Sequence, residues 1–207
     1  MIIEGVVANW LIMKKLLMFV LLIAGYGAAA QDSLKSINAE RVQTTINGMR
    51  VLGGWGFANI GVGAAGWAAS KGGQNRYFYQ MTTVWGGVNA AIAMNGYASA
   101  RKEINQSLTT AESLKAQRKI ERIFLFNGAL DVVYIGAGFY LDTRGSNTNN
   151  AQLKGYGTSV ALQGAFLLLF DATMYRTQRG NGSKLRRFLA KAPITFTGKS
   201  IGIQLNI

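Results

Sequence analysis

The chain has 207 residues, of which 49% are hydrophobic and only 15% are charged, with 26 glycines, one proline and a formal net charge of +13. It contains no cysteine and no histidine, which excludes disulfides, thiolate nucleophiles, Cys/His zinc sites, haem ligation by histidine and histidine-based catalytic triads. A charged share well below the usual ~25%, combined with abundant glycine, is typical of closely packed transmembrane helices.

The N-terminus has the anatomy of a secretory signal. Met13, Lys14 and Lys15 form a positive start, residues 16–23 form a short apolar core, and small residues lead to Ala30. The apolar run is shorter than the ~20 residues of a membrane span. We therefore expect residues 1–30 to be a signal peptide that is cleaved after Ala30, with Met13 as a candidate true start. An uncleaved signal anchor is the alternative.

Four apolar segments follow, and they predict an all-α membrane protein built as a four-transmembrane-helix bundle over residues 51–176. Each segment is near the required length and holds no Lys or Arg, as a spanning helix requires. The predicted spans are residues 51–70, 79–99, 123–141 and 157–175. A soluble bundle of very apolar helices is one alternative. A β-barrel is another, but the period-two alternation of barrel strands is missing from these segments.

Amphipathic helices are predicted to flank the spans. Residues 31–50 and 105–122 place apolar side chains among charged ones at helical spacing, which favours helices that lie on the membrane surface or cap the bundle. Residues 177–207 form a basic tail. Its end, residues 194–197 and 201–207, alternates with period two and predicts a short C-terminal β-hairpin.

The first and third spans align at an offset of 72 residues, which places Asn59 opposite Asp131 and Gly66 opposite Gly138. This pattern is typical of two duplicated hairpins in one orientation. Chance similarity between two glycine-rich spans explains it equally well.

The four spans also carry a resemblance to known sequences. The runs are GGWGFANIGVGAAGW, YFYQMTTVWGGVNAAIA, FLFNGALDVVYIGAGFYL and GYGTSVALQGAFLLLFDATMY. Together they resemble a family of small uncharacterised Bacteroidota four-helix membrane proteins. The resemblance implies the helical fold and the membrane location, and it implies no activity.

Polar side chains inside the predicted spans are the candidate site. They are Asn59, Asn89, Asn127, Asp131, Gln163 and Asp171. An ionised carboxylate at the bilayer centre costs roughly 2.5–3.5 kcal/mol, so both aspartates should face the interior and be protonated or paired. Two interpretations stay open. The cluster forms interhelical hydrogen bonds that fix packing, at about 0.6 kcal/mol each, or it is a ligand or proton site in which Asp131 titrates.

Three functions follow from these features. The first is a non-enzymatic structural or accessory membrane protein that binds a protein or lipid partner. The second is a subunit of a small transporter or channel that uses the polar site around Asp131. The third is an intramembrane enzyme, which requires its two aspartates to lie close together. We expect no metal, no cofactor and no nucleic-acid partner. A homo-oligomer stays open, and the basic segments are expected to meet anionic lipid head groups.

The predicted location is the bacterial inner membrane, with an exported N-terminus. Two topology rules conflict there. A cleaved signal delivers the following residues to the outer side, whereas lysines and arginines crowd into residues 31–50, 101–122 and 176–199, which the positive-inside rule places in the cytoplasm.

Overall fold

The computed structural model describes residues 2–191, 194–196 and 201–203, with side chains over residues 13–15, 18 and 31–190. These residues form four helices and two strands. The helices are α1 (Ile2–Ala69), α2 (Gly73–Glu103), α3 (Thr110–Asn147) and α4 (Ala151–Lys191). The strands β1 (Ile194–Phe196) and β2 (Ile201–Ile203) pair antiparallel, with Ile194 opposite Ile203.

The prediction of four membrane-spanning helices is wrong. Within the described residues, two helices are long and apolar enough to cross a membrane, Thr110–Asn147 and Ala151–Ala190. The segments 51–70 and 79–99 owe their apolar character largely to glycine, alanine and tryptophan, whereas 123–141 and 157–175 are richer in leucine, valine, isoleucine and phenylalanine. Absence of charge was therefore a weaker criterion than aliphatic content.

The flanking elements also differ from their prediction. Residues 31–50 are not a separate amphipathic helix, because α1 runs through them without a break, and most of 105–122 is the first part of α3. A Thr109 capping box with Glu112 fixes where α3 begins, since it satisfies two otherwise unpaired backbone donors. Residues 177–191 of the predicted basic tail continue α4. The predicted terminal hairpin is reduced to two three-residue strands, and residues 197–200 and 204–207 lie outside the described part.

Residues 2–30 form the N-terminal part of α1, which runs on into residues 31–69 without a break. Cleavage after Ala30 stays a prediction, as does the start at Met13.

Consecutive helices pack as two hairpins, α1 against α2 and α3 against α4. Glycines spaced by seven make the contacts close. A Cβ built on Gly56 would lie 2.6 Å from the backbone nitrogen of Ala90, and one on Gly63 would lie 2.7 Å from that of Thr83. In α3, Gly138 and Gly145 lie equally close to the backbone of α4. Such small residues permit helix axes to approach at backbone distance.

The turns of the two hairpins are not separated by the offset read from the sequence. Since α2 begins at Gly73 and α4 at Ala151, the turns are 78 residues apart (151 minus 73), not 72. Asn59 and Asp131 also have different partners, as described below. The duplication stays a prediction.

Contacts between helix ends gather the basic segments at one end of the molecule. Asn38 Nδ2 donates to Ser113 Oγ at 2.7 Å, and Arg41 pairs with Glu103 at 2.7 Å. The ends of α2 and α4 and the start of α3 therefore meet residues 31–50 of α1. We call this the basic end, because exposed cations concentrate there, including Arg101, Lys102, Lys115, Arg118, Lys119, Arg122, Arg176, Arg179, Lys184, Arg186 and Arg187.

Between the basic end and the turns, large apolar side chains remain exposed on all four helices. They include Val51, Phe57, Val62, Val84, Ile92, Met94, Leu125, Phe126, Val132, Val133, Phe139, Leu162 and Leu169. Exposed apolar surface this extensive marks contact with lipid or with another protein.

Candidate functional site

Helix α4 carries a stripe of buried polar side chains, and each one meets a neighbouring helix. The stripe is Ser159, Gln163, Asp171, Gln178 and Asn181. Ser159 Oγ lies 2.9 Å from Thr82 Oγ1 of α2, and Asn181 Nδ2 donates to Thr44 Oγ1 of α1 at 3.1 Å. Buried polar groups need such partners, so α4 sets the relative positions of the other helices.

The stripe's centre is Gln163, whose side chain is fully buried. Its Nε2 donates to Asn59 Oδ1 at 2.7 Å, and its Oε1 accepts from Trp55 Nε1 at 2.9 Å and from Asn89 Nδ2 at 3.4 Å. Asn59 Nδ2 donates in turn to the Trp55 carbonyl at 2.7 Å. This glutamine network ties α4 to α1 and α2 at one level.

The other predicted polar residues form a second group. The carboxyl groups of Asp131 of α3 and Asp171 of α4 lie close enough to interact, and Asn127 lies beside Asp171. Asp131 is 3% exposed and Asp171 4%. We call these two carboxyl groups the aspartate pair. The single cluster expected from the sequence is thus two clusters, the glutamine network and the aspartate pair with Asn127.

A groove lies beside the aspartate pair. The backbones of α2 and α3 stay apart, although both helices pack against α4. The space between them is a cavity of about 800 Å³ that reaches down to α1 and α4. Apolar side chains form much of its wall, among them Val88, Ile92, Ile120, Ile123, Phe124, Leu130 and Leu167.

The two ends of the groove differ chemically. Arg41, Glu103, Glu112, Lys115 and Lys119 lie around the part nearest the basic end. The aspartate pair, with Asn89 and Asn127, lies at the deep end. From Lys119 to Asp131 the groove follows twelve residues of α3, about 18 Å of helix.

Aromatic rings surround the deep end. Trp85 of α2 packs edge-on against Tyr134 of α3, with ring centroids 5.1 Å apart. Phe124 and Phe170 form a second edge-on pair at 6.3 Å. All four rings line the groove. Tryptophan and tyrosine combine apolar area with an electron-rich face that attracts cations.

One atom at the deep end has no hydrogen-bond partner. Asp131 Oδ2 is buried and unbonded, although the residue lines the groove. Three further buried polar atoms without partners are Arg41 Nε, Gln117 Oε1 and Gln178 Oε1. These belong to neighbouring groups near the basic end, where Gln117 Nε2 donates to the Gln178 carbonyl at 2.6 Å.

Sequence reasoning missed several of these residues. Trp55 precedes Asn59 by four residues, so helical spacing alone could have placed its indole beside the glutamine network. Gln117 and Gln178 lie outside the predicted spans, and the prediction of buried polar groups was confined to those spans. Both glutamines lie on the apolar faces of residues 105–122 and 177–190, and this position could have indicated that they are buried.

The described residues contain no group of three or more His, Cys, Asp or Glu side chains suited to a metal ion. Around the aspartate pair, the groove is lined mostly by hydrocarbon and aromatic side chains.

Comparison with known proteins gives one match. Residues 51–172 match DUF6992, described as a family of unknown function. This range contains the six polar residues predicted from the sequence and the Trp85–Tyr134 pair. No curated protein and no solved structure matches the chain.

Proposed function

Because this chain belongs to DUF6992, a family of unknown function, we propose its role from the site: a non-enzymatic membrane protein that binds a lipid-like molecule in the groove between α2 and α3. The observation that carries the proposal is the groove itself. It has a volume of about 800 Å³ and walls of mainly apolar and aromatic side chains. Ligand sites are commonly clefts of ~300–1,000 Å³ lined by such residues, with a few polar groups.

Membrane location is supported by two independent features. Helices α3 and α4 have the length and composition of spanning helices, and apolar side chains are exposed around the molecule at the level of the groove. Val88, Ile92 and Ile123 are each more than 40% exposed and also line the groove. The groove therefore opens onto the apolar surface, where a lipid-like molecule would be available.

The basic end fits a second part of the proposal, contact with anionic lipid head groups at the inner face of the inner membrane. Cations near a membrane surface are attracted by about 1 kcal/mol each. The opposite end, at the helix turns, holds far fewer, namely Lys71, Arg76, Arg144 and Lys154. This asymmetry supports a cytoplasmic basic end.

Filling the groove should weaken ligand binding. Ala116 lines the groove near its charged end, and a phenylalanine there would occupy the space of the ligand. We expect Ala116→Phe to weaken binding of N-phenyl-1-naphthylamine, a neutral dye whose fluorescence rises in apolar surroundings, by about tenfold, equivalent to ~1.4 kcal/mol. The measurement is a fluorescence titration of the full chain in phosphatidylcholine nanodiscs.

Ala129→Phe is the matched control, because Ala129 lies on the same helix, is exposed and does not line the groove. It should bind the dye as the wild type does. Equal titration curves for the two variants, or unsaturable dye uptake by the wild type, would contradict a ligand groove.

Removing charge at the basic end should weaken the response to anionic lipid. We expect phosphatidylglycerol to raise the unfolding temperature of the wild type more than phosphatidylcholine does. Arg118→Gln/Arg122→Gln should lose about 2 kcal/mol of that extra stabilisation, whereas Arg76→Gln/Arg144→Gln, at the opposite end, should keep it. A comparable loss in both double variants would mean that net charge, and not the basic end, recognises the lipid.

A further inference from the structure

The aspartate pair is an uncompensated acidic group in apolar surroundings. A hydrogen bond between two carboxyl groups holds one proton, and the pair carries a negative charge whenever the second carboxyl is ionised. In the described part of the chain, no lysine or arginine pairs with either carboxyl. A buried charge without a counter-charge is costly, which favours a cationic partner from outside the chain.

Asp131 has an unsatisfied carboxyl at the wall of the groove. The residue lines the groove, and its Oδ2 is the one oxygen of the two aspartates that is buried without a hydrogen bond. Almost all buried polar atoms in folded proteins are bonded. The Asp131 carboxyl therefore has hydrogen-bonding capacity left for a donor that enters the deep end.

The rings around the aspartate pair indicate which chemical class of hydrogen-bond donor fits the deep end. Trp85 and Tyr134 line the same deep end, with Phe124 and Phe170 farther along the wall. Aromatic rings beside a carboxylate are a frequent recognition device for ammonium groups. Hard metal cations instead require about six oxygen ligands, which a wall of hydrocarbon and aromatic rings does not provide.

We propose that the aspartate pair recognises the ammonium group of an amphipathic amine, whose apolar chain lies along the groove. The amine donates to the Asp131 carboxyl, its charge is stabilised by the pair and by the rings of Trp85 and Tyr134, and its hydrocarbon contacts Ile92, Ile123 and Leu130. This inference rests on the proposed lipid-like ligand and specifies its class.

The test compares three probes of equal chain length that displace the neutral dye from the full chain in phosphatidylcholine nanodiscs: dodecylamine, dodecanol and dodecanoate. A hydrogen bond to a charged group contributes about 1.5–3 kcal/mol, so dodecylamine should displace the dye at a concentration about tenfold or more below that of dodecanol. Dodecanoate should be the weakest. In Asp131→Asn the ratio between the dodecanol and dodecylamine concentrations should shrink to about twofold.

Two further variants test whether the deep end, and not a carboxylate elsewhere in the groove, recognises the amine. Glu112→Gln removes a carboxylate that also lines the groove, near its charged end, and retains a residue suited to the capping box. It should keep the amine advantage. Trp85→Leu should reduce that advantage several-fold with both carboxyls in place, and it serves as the test if Asp131→Asn does not fold.

The outcomes distinguish the two proposals. Displacement by dodecanol and dodecylamine at equal concentrations in the wild type overturns the amine inference and leaves the lipid-like ligand standing. Loss of the amine advantage in Glu112→Gln, with its retention in Asp131→Asn, overturns it as well. Failure of all three probes to displace the dye overturns both.

Discussion

Gln163→Leu is expected to destabilise the fold more than any other single polar substitution in the interior. The change leaves Trp55 Nε1, Asn59 Oδ1 and Asn89 Nδ2 without their partner, since all three bond to the Gln163 side chain. A buried polar group left unbonded costs about 1–3 kcal/mol, so the total loss should be about 3 kcal/mol or more. Thermal unfolding in mild detergent, followed by circular dichroism, measures it.

Gln152→Leu is the control for this change, since Gln152 lies on the same helix but is exposed. Its unfolding temperature should stay near the wild-type value. A double-mutant cycle with Asn59→Leu should give a coupling energy above about 0.5 kcal/mol, because the two side chains bond at 2.7 Å. Additive losses would show that the glutamine network does not stabilise the protein as a unit.

Gly138→Val should prevent the α3–α4 hairpin from closing. A Cβ on Gly138 would collide with the backbone and side chain of Ala161, and backbone atoms cannot rotate away as a side chain can. Overpacking commonly costs about 1–3 kcal/mol, occasionally more. We expect the upper part of this range, with a fall in the yield of monodisperse protein on size-exclusion chromatography.

Gly136→Val tests whether the collision, and not the change of residue type, is responsible. Gly136 lies two residues away on the same helix, and a Cβ there has nothing within 4 Å. The variant should purify as well as the wild type and unfold at a similar temperature. If both variants lost yield and unfolding temperature equally, the cause would be the change of residue type. The close approach at Gly138 would then not explain the loss.

Helical spacing predicted the inward placement of the polar residues better than it predicted their grouping. The step of four between Asn127 and Asp131 places both on one face of α3, and the cost of buried charge required the two aspartates to face the interior. Five of the six predicted residues are buried, and Asn127 is half-buried. Which residues share a cluster depends on how far one helix is shifted along its axis relative to its neighbour. The local sequence pattern of a single helix does not determine that shift.

The groove was beyond sequence reasoning for the same reason. It exists because α2 and α3 both pack against α4 while their backbones stay apart. That separation follows from the places where glycines let backbones meet, such as Gly56 against Ala90 and Gly138 against Ala161. Absence of Lys and Arg was likewise insufficient to count spans, since residues 51–70 and 79–99 contain fewer leucines, valines, isoleucines and phenylalanines than residues 123–141 and 157–175.

The side opening of the groove has a consequence for how occupancy would be regulated. A ligand that enters between α2 and α3, past Val88, Ile92 and Ile123, arrives from the hydrocarbon and not from water. Partitioning into the bilayer then comes first, and it concentrates an amphiphile by about 0.8 kcal/mol for every buried methylene. Occupancy would follow the mole fraction of ligand among the lipids, so even a site of modest intrinsic affinity would report on membrane composition.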